Sequence, residues 1–270
     1  LALELKNFMN QYFAFGAFEF VDPKTKHIIR RTNNLKELQS CIYDIPDDSF
    51  EYHISRNHLS KWLYARAIFP LAEFFSSASK KDFEYDLEKI RKFVYENIAN
   101  YRRSISRGVI AEFNRNNYDD SLIFSRIGDG YIGGKARGLA FLDSLKKNHP
   151  ELDDFSDVII KIPRTVVIST EVFDRFMEEN NLYPLALSRI TNQEVLDAFV
   201  KANLADETKF DLKVFLEHVD YPIAVRSSSV LEDSHYQPFA GVYSTYMLPN
   251  SGDIDTKLNQ LITAIKSVYA

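Results

Sequence analysis

The sequence predicts an α+β protein with a small mixed domain over residues 1–105 and an α/β-patterned domain over 106–270. Three observations carry this. An aromatic, alternating stretch from Phe13 to Val21 turns at Asp22-Pro23-Lys24-Thr25 and returns over His27 to Arg31. A charged segment from Asp82 to about Ser106 repeats Phe83, Leu87, Ile90, Phe93, Val94 and Ile98 at helical spacing. Beyond it, short apolar runs alternate with amphipathic stretches.

The first stretch reads as a β-hairpin. Asn34 to Cys41 follows as a short helix with Leu35, Leu38 and Cys41 on one face, and Ser60 to Phe75 as a more apolar helix carrying Trp62. The long charged helix closes the first domain and can link it to the next. The polar segment Glu112 to Asp120 marks the boundary. Ser121 to Ile127 then predicts a strand, Lys135 to Lys147 a helix, and Val158–Ile162 and Val166–Ser169 strand pieces split by Pro163. Thr170 to Asn180 and Val195 to His218 read as helix, Ile223 to Val225 as a buried strand, and Gly241 to Leu248 as another. Asp253 to Ala270 completes the series as an amphipathic helix.

Composition narrows the function classes. Hydrophobic residues at 45% and charged residues at 26% suit a soluble globular chain with packed cores. A net charge of −5 offers no general attraction for nucleic acid or an anionic membrane, so any phosphate binding must come from local cations. The sole cysteine, Cys41, rules out an intrachain disulfide and fits a reducing cytoplasm. No segment is apolar enough to span a bilayer, and Leu1 to Phe20 is no signal peptide. The chain starts at Leu1 and its last helix lacks a C-cap signal, the expectation being a piece of a longer protein. Nothing in the sequence speaks to oligomeric state.

Two segments carry chemistry. The first is Gly128-Asp129-Gly130-Tyr131-Ile132-Gly133-Gly134-Lys135-Ala136-Arg137-Gly138. Glycines let backbone N–H groups approach a phosphate, and a helix start adds donors and positive potential, to which Lys135 adds a full charge. The spacing Gly128, Gly130, Gly133 satisfies a dinucleotide fingerprint, but the helix opens on lysine and no second strand ending in an acid follows about 20 residues on. A Walker A loop would need glycine at Asp129 and Ser or Thr at Ala136. What remains is a phosphate grip of another kind, or a plain tight turn with a surface lysine.

The second segment is Ala224-Val225-Arg226-Ser227-Ser228-Ser229-Val230-Leu231-Glu232-Asp233. An arginine at a strand end suits phosphate oxygens, with Ser227 and Ser228 offering further donors. Glu232 and Asp233 could orient the arginine, help position a metal, or simply hold Arg226 in an ion pair. Downstream, Gly241 permits close backbone approach and Thr245 offers a hydroxyl.

In order and spacing, Gly133-Gly134-Lys135-Ala136-Arg137-Gly138-Leu139, Ile162 to Thr170, Val225 to Ser228, Glu232-Asp233 and Phe239-Ala240-Gly241 resemble the N-terminal nucleotide-binding domain of the phosphoenolpyruvate synthase and pyruvate phosphate dikinase family. The resemblance covers about residues 125 to 250. It implies part of an ATP-grasp fold whose lobes close over ATP and Mg²⁺, with Lys135 and Arg226 on the phosphates and Gly133, Gly134, Gly241 and Thr245 near the nucleotide. It further implies phosphoryl transfer to a histidine on a mobile domain and then to pyruvate. None of the six histidines lies in the family's Thr-Ser-His context, so the catalytic histidine, the Mg²⁺ carboxylates and the pyruvate barrel are expected beyond Ala270. The segment departs from the family at Arg164-Thr165, where Pro-Gly is usual in continuation of the proline, and at Val242, where Gln is usual. The competing reading is a non-catalytic regulatory or scaffold module with a weakened nucleotide site.

The first domain lies outside that pattern, and a regulatory or docking role is expected for it. Its histidines His53 and His58 make a poor metal pair, since a spacing of five does not stack on one helix face. Asn57 or Ser60 is expected to cap a helix that sends Trp62 and Leu63 into the core.

Overall fold

The computed structural model describes residues 16–78, 80–155, 157–229 and 243–270. The chain divides into two compact units, Leu1–Ile105 and Ser106–Ala270. Among the described residues no helix is long and apolar enough to cross a membrane.

In the first unit the hairpin is present, with β1 (Phe18–Val21) antiparallel to β2 (Ile28–Thr32). Asp22 Oδ1 accepts from the amides of Lys24 and Thr25, which closes the turn and holds the Asp22 carboxyl below its ordinary range. Helix α1 (Leu35–Cys41) starts at Asn34, whose side chain accepts from the Glu37 amide. The single helix expected over Ser60–Phe75 is two. Helix α3 (His58–Tyr64) ends before Ala67, which has φ +56°, and α4 (Phe69–Ser77) restarts with Pro70 in its first turn. Helix α2 (Asp47–Ser55) was not anticipated. Asn57 does precede α3, but in the left-handed region and without a side-chain cap, while Trp62 and Leu63 are buried as expected. The long helix α5 (Leu87–Ser106) begins later than Asp82, because Glu84 and Tyr85 take positive φ and Asp86 Oδ1 accepts from the amides of Glu88 and Lys89. Its Ile90, Val94 and Ile98 join Phe20, Phe50 and Trp62 in one core.

His53 and His58 sit on α2 and α3, and their Nδ1 atoms lie 3.0 Å apart. The Val21 amide donates to His53 Nε2 at 3.0 Å, so the neutral His53 ring must carry its proton on Nδ1, facing His58. Burial, and then the neighbouring His58, Lys26 and Arg56, hold His53 down to about 4 from an ordinary 6.5. The unfolded chain therefore takes up this proton at higher pH than the folded one. Stability from His53 is intact above pH 6.5 and declines as pH falls toward 4, by on the order of 2 kcal/mol for a partly screened ring. Thermal unfolding at neutral pH and near pH 4.5 should show this slope, and His53→Gln, which cannot titrate there, should flatten it. An equally steep slope in that variant would contradict the assignment.

The second unit contains a parallel three-stranded sheet in the order β3 (Ile110–Glu112), β4 (Phe124–Ile127), β5 (Thr165–Ile168). Strand β3 went unforeseen: it lies between the long charged helix and the polar boundary segment, and only its last residue, Glu112, falls in that segment. The strand expected at Val158–Ile162 does not form: Val158 and Ile159 are exposed, and Lys146 Nζ donates to the Ile160 carbonyl. Helix α6 (Gly133–Asn148) follows β4, and α7 (Thr170–Glu179) follows β5. The helix expected over Val195–His218 is again two, after the single turn α8 (Tyr183–Ala186). Helix α9 (Asn192–Lys201) opens with a Thr191/Glu194 capping box and stops where Ala202 turns extended, and α10 (Asp206–Glu217) restarts. An antiparallel ribbon pairs β6 (Ile223–Arg226) with β7 (Thr245–Leu248), and α11 (Ile254–Tyr269) is capped by Asp253. Ile127, Phe176, Phe199, Phe215, Leu261 and Ile265 form the core, with Ile223, Val225 and Leu248 packed on it.

Candidate nucleotide site

The glycine turn between β4 and α6 is shaped by what lies against it. Gly128 and Gly130 have φ of +77° and +98°, and a Cβ on them would collide with Ser169, Thr170 and Val172 at the start of α7. The fit is fastened by hydrogen bonds. The Asp129 amide donates to Glu171 at 2.5 Å, the Tyr131 amide to Thr170 Oγ1 at 3.1 Å, and the Thr170 amide to the Tyr131 carbonyl at 3.0 Å. Arg126 Nη1 donates to the Gly128 carbonyl and its Nη2 stands 2.9 Å from Asp129.

Helix α6 has no cap of its own, since Ile132 precedes it without a side-chain hydrogen bond. Ser228 supplies one from across the domain. Its hydroxyl accepts from the Ala136 amide at 3.1 Å and donates to the Ile132 carbonyl at 2.8 Å, bridging the i, i+4 pair that would otherwise close the first intrahelical bond. Gly133 makes this approach feasible. It has φ +74°, and a Cβ there would stand 1.3 Å from the Ser228 carbonyl oxygen. The glycine turn and the strand-end arginine segment thus meet at Gly133 and Ser228. Lys135 and Arg226 are each two residues from that contact, so neither Cα is more than about 7 Å of chain away.

Arg226 ends β6 directly opposite Thr245 on β7, so the two side chains share one face of the ribbon. That face is exposed, whereas Val225 and Tyr246 turn inward. The Arg226 side chain makes no hydrogen bond or ion pair with the described residues. Lys135 and Gly134 are half-buried in the first turn of α6, and Gly133 is buried. Glu232, Asp233 and Gly241 lie outside the described residues, as do Phe239 and Val242. Arg164 donates to the Tyr118 hydroxyl at 2.8 Å and to the Asp120 carbonyl, which makes it a brace for the 118–120 segment. Sequence reasoning gave Ser228 a supporting part only; its role as a distant cap has no local signal.

A mixed α+β unit whose glycine-rich strand–helix turn meets a strand-end arginine is of the nucleotide-binding class. The chain belongs to the family of pyruvate phosphate dikinase AMP/ATP-binding domains, whose profile matches residues 129–270, just over half its length. It is also 33% identical over 91 residues to an uncharacterized phosphotransferase, YvkC, of Bacillus subtilis (strain 168); the alignment takes in 33% of this chain. The chain spans about a tenth of that relative, the aligned part being 10% of its length. No solved structure is significantly similar to it.

Proposed function

We propose that residues 106–270 form the phosphate-gripping part of an ATP-grasp domain in a phosphoenolpyruvate synthase-like phosphotransferase. The whole enzyme would convert ATP, pyruvate and water to phosphoenolpyruvate, AMP and phosphate through a phosphohistidine outside these residues. The observation that carries the reading is the Ser228 lock, which ties the Lys135 turn to the Arg226 strand end. In this reading Arg226 and Thr245 meet phosphate oxygens from the ribbon face. Gly134 and Lys135 meet them from the helix start, while Gly133 holds the turn in shape through Ser228. Ser227 would add a donor, Gly241 would give close backbone approach, and Glu232 and Asp233 would orient Arg226. Phosphoryl transfer asks the protein mainly for positioning and charge stabilisation, which two cations directed at the phosphates would supply. Among the described residues no group of three or more His, Cys, Asp or Glu could hold a metal. Any Mg²⁺ would arrive with the nucleotide and carboxylates supplied elsewhere.

Arg164, which stands where the family usually has proline and serves as a structural brace, favours the second reading, a regulatory or scaffold module. One experiment separates the two. The intact polypeptide that contains this chain is incubated with radiolabelled ATP and assayed for an acid-labile phosphohistidine. The enzyme reading expects labelling that Lys135→Ala abolishes. ATP binding by calorimetry without any labelling would favour the module.

A further inference from the structure

In the first unit the turn of the β1–β2 hairpin and the joint between α2 and α3 bring two cations onto one tyrosine ring. Lys26 Nζ stands 4.4 Å from the centre of the Tyr52 ring and bonds its hydroxyl at 3.2 Å, while the Arg56 guanidinium lies 4.1 Å from the same centre. The two charges are therefore no more than about 8.5 Å apart, the sum of those two distances to the ring centre and inside the screening length of physiological salt. Lys61 on α3 adds a third charge close enough to act on His58. All three cations are exposed, and none forms an ion pair with the described residues. The chain has 38 acidic residues to draw on and an excess of negative charge, yet places no described partner here. Lys26 (φ +61°) and Asn57 (φ +54°) both take the left-handed conformation that residues other than glycine rarely adopt, and these two turns set Lys26, Arg56 and His58 about Tyr52.

Hydrogen-bond direction makes this a face of donors. His53 accepts from the Val21 amide on Nε2 and so donates from Nδ1 to His58 Nδ1. A neutral His58 that accepts on Nδ1 carries its own proton on Nε2, and that N–H has no partner among the described residues. Burial, and then Lys61, Arg56 and Lys26, hold His58 below its ordinary range, so the ring is neutral near pH 7. Every charge acting on either imidazole is positive. Lys26 donates into the Tyr52 oxygen, which leaves the phenolic O–H free to donate elsewhere. Arg56 spends a single N–H, on the Tyr52 carbonyl at 3.4 Å. The rings of Tyr52 and His58 are neighbours, with centres 5.6 Å apart.

We propose that this face binds a phosphate dianion, free or as the monoester of a small molecule, held by Lys26 and Arg56 with the Tyr52 hydroxyl and the His58 Nε2–H as neutral donors. A carboxylate brings a single charge and a pair of oxygens. A phosphate group brings more charge and more acceptor oxygens, the better match to two cations and two further donors. Such a ligand ties the hairpin turn to the α2–α3 joint. The site lies wholly within the first unit and does not depend on the nucleotide reading.

The test is isothermal calorimetry on the full chain with inorganic phosphate and glycerol phosphate as probes, and with acetate at matched ionic strength as the control. At least one of the two probes should bind with a Kd of about 1 mM or tighter. Tighter binding of glycerol phosphate supports the site with a phosphorylated small molecule as its occupant, and tighter binding of phosphate supports it with the free ion. Lys26→Ala and Arg56→Ala, both at exposed positions, should each weaken that binding about tenfold or more, with unchanged circular dichroism. Lys92→Ala, which removes an exposed lysine paired with Glu96 on α5, should leave it intact, as should Arg226→Ala. The bound probe should also move the imidazole NMR signals of His58 and leave those of His218 in place. The proposal is overturned if neither probe binds up to about 10 mM, if acetate binds as well, if both Lys26→Ala and Arg56→Ala bind like the parent, or if Arg226→Ala abolishes the binding.

Discussion

Gly133→Ala is expected to destabilise the second unit by roughly 3 kcal/mol or more and to abolish ATP binding with it. Two costs combine. A non-glycine residue at φ +74° costs about 1–3 kcal/mol. The added Cβ also falls 1.3 Å from the Ser228 carbonyl oxygen, and backbone rather than a flexible side-chain tip must move to clear it. Clearing it withdraws the Ser228 hydroxyl from Ala136 and Ile132, uncapping α6. Gly138→Ala is the internal control: a Cβ there meets nothing within 4 Å, so exchanging a helical glycine for alanine should stabilise by about 0.5–1 kcal/mol. Denaturant unfolding of both variants reads the contrast directly. If Gly133→Ala and Gly138→Ala shift the midpoint by the same amount, the interlock at Ser228 is not real.

Arg226→Ala should weaken ATP binding by about 2 kcal/mol or more, a loss of roughly thirtyfold, while leaving the fold nearly untouched. The asymmetry follows from the ribbon. Arg226 lies on its exposed face opposite Thr245 and bonds none of the described residues, so truncation there should change stability by less than about 0.5 kcal/mol. Arg226→Lys should recover part of the affinity, since it keeps the charge but loses the planar fork. Thr245→Val, on the same face, should cost about 1 kcal/mol in affinity, the worth of one neutral hydrogen bond. Calorimetry on the intact polypeptide with ATP checks all three. Unchanged affinity in Arg226→Ala would remove it from the nucleotide site, and a large fall in melting temperature would recast it as structural.

Much of the architecture was legible because it rests on local rules. The hairpin announces itself through alternation and the Asp22-Pro23 turn, and helices α1, α6, α7 and α11 through apolar periodicity. The misreadings cluster where one residue overrides a periodic pattern. Ala67 in the left-handed region and Pro70 split an apolar run into two helices, and Ala202 did the same later. The pairing of β6 with β7 set Arg226 against Thr245, two residues singled out by side-chain chemistry and by the family resemblance. The cleft between the segment after β3 and helices α7 and α10 was illegible, although Thr208 and Asp211 leave a faint trace as polar residues interleaved with Leu212 and Phe215 on the inward side of α10. Such positions read as ordinary helix until the facing Arg175 is placed in space.

Ser228 reaches the start of α6 across 92 residues from Ala136. On a ribosome, residues 133–148 emerge long before their stabilising hydroxyl exists. The nascent helix must wait, frayed at its leading end, while everything through β6 is synthesised. A loop closure of that span is slow and entropically demanding, so docking of the 226–229 segment belongs late in folding. The domain therefore completes the Gly133 end of its glycine turn only after most of its polypeptide has been made.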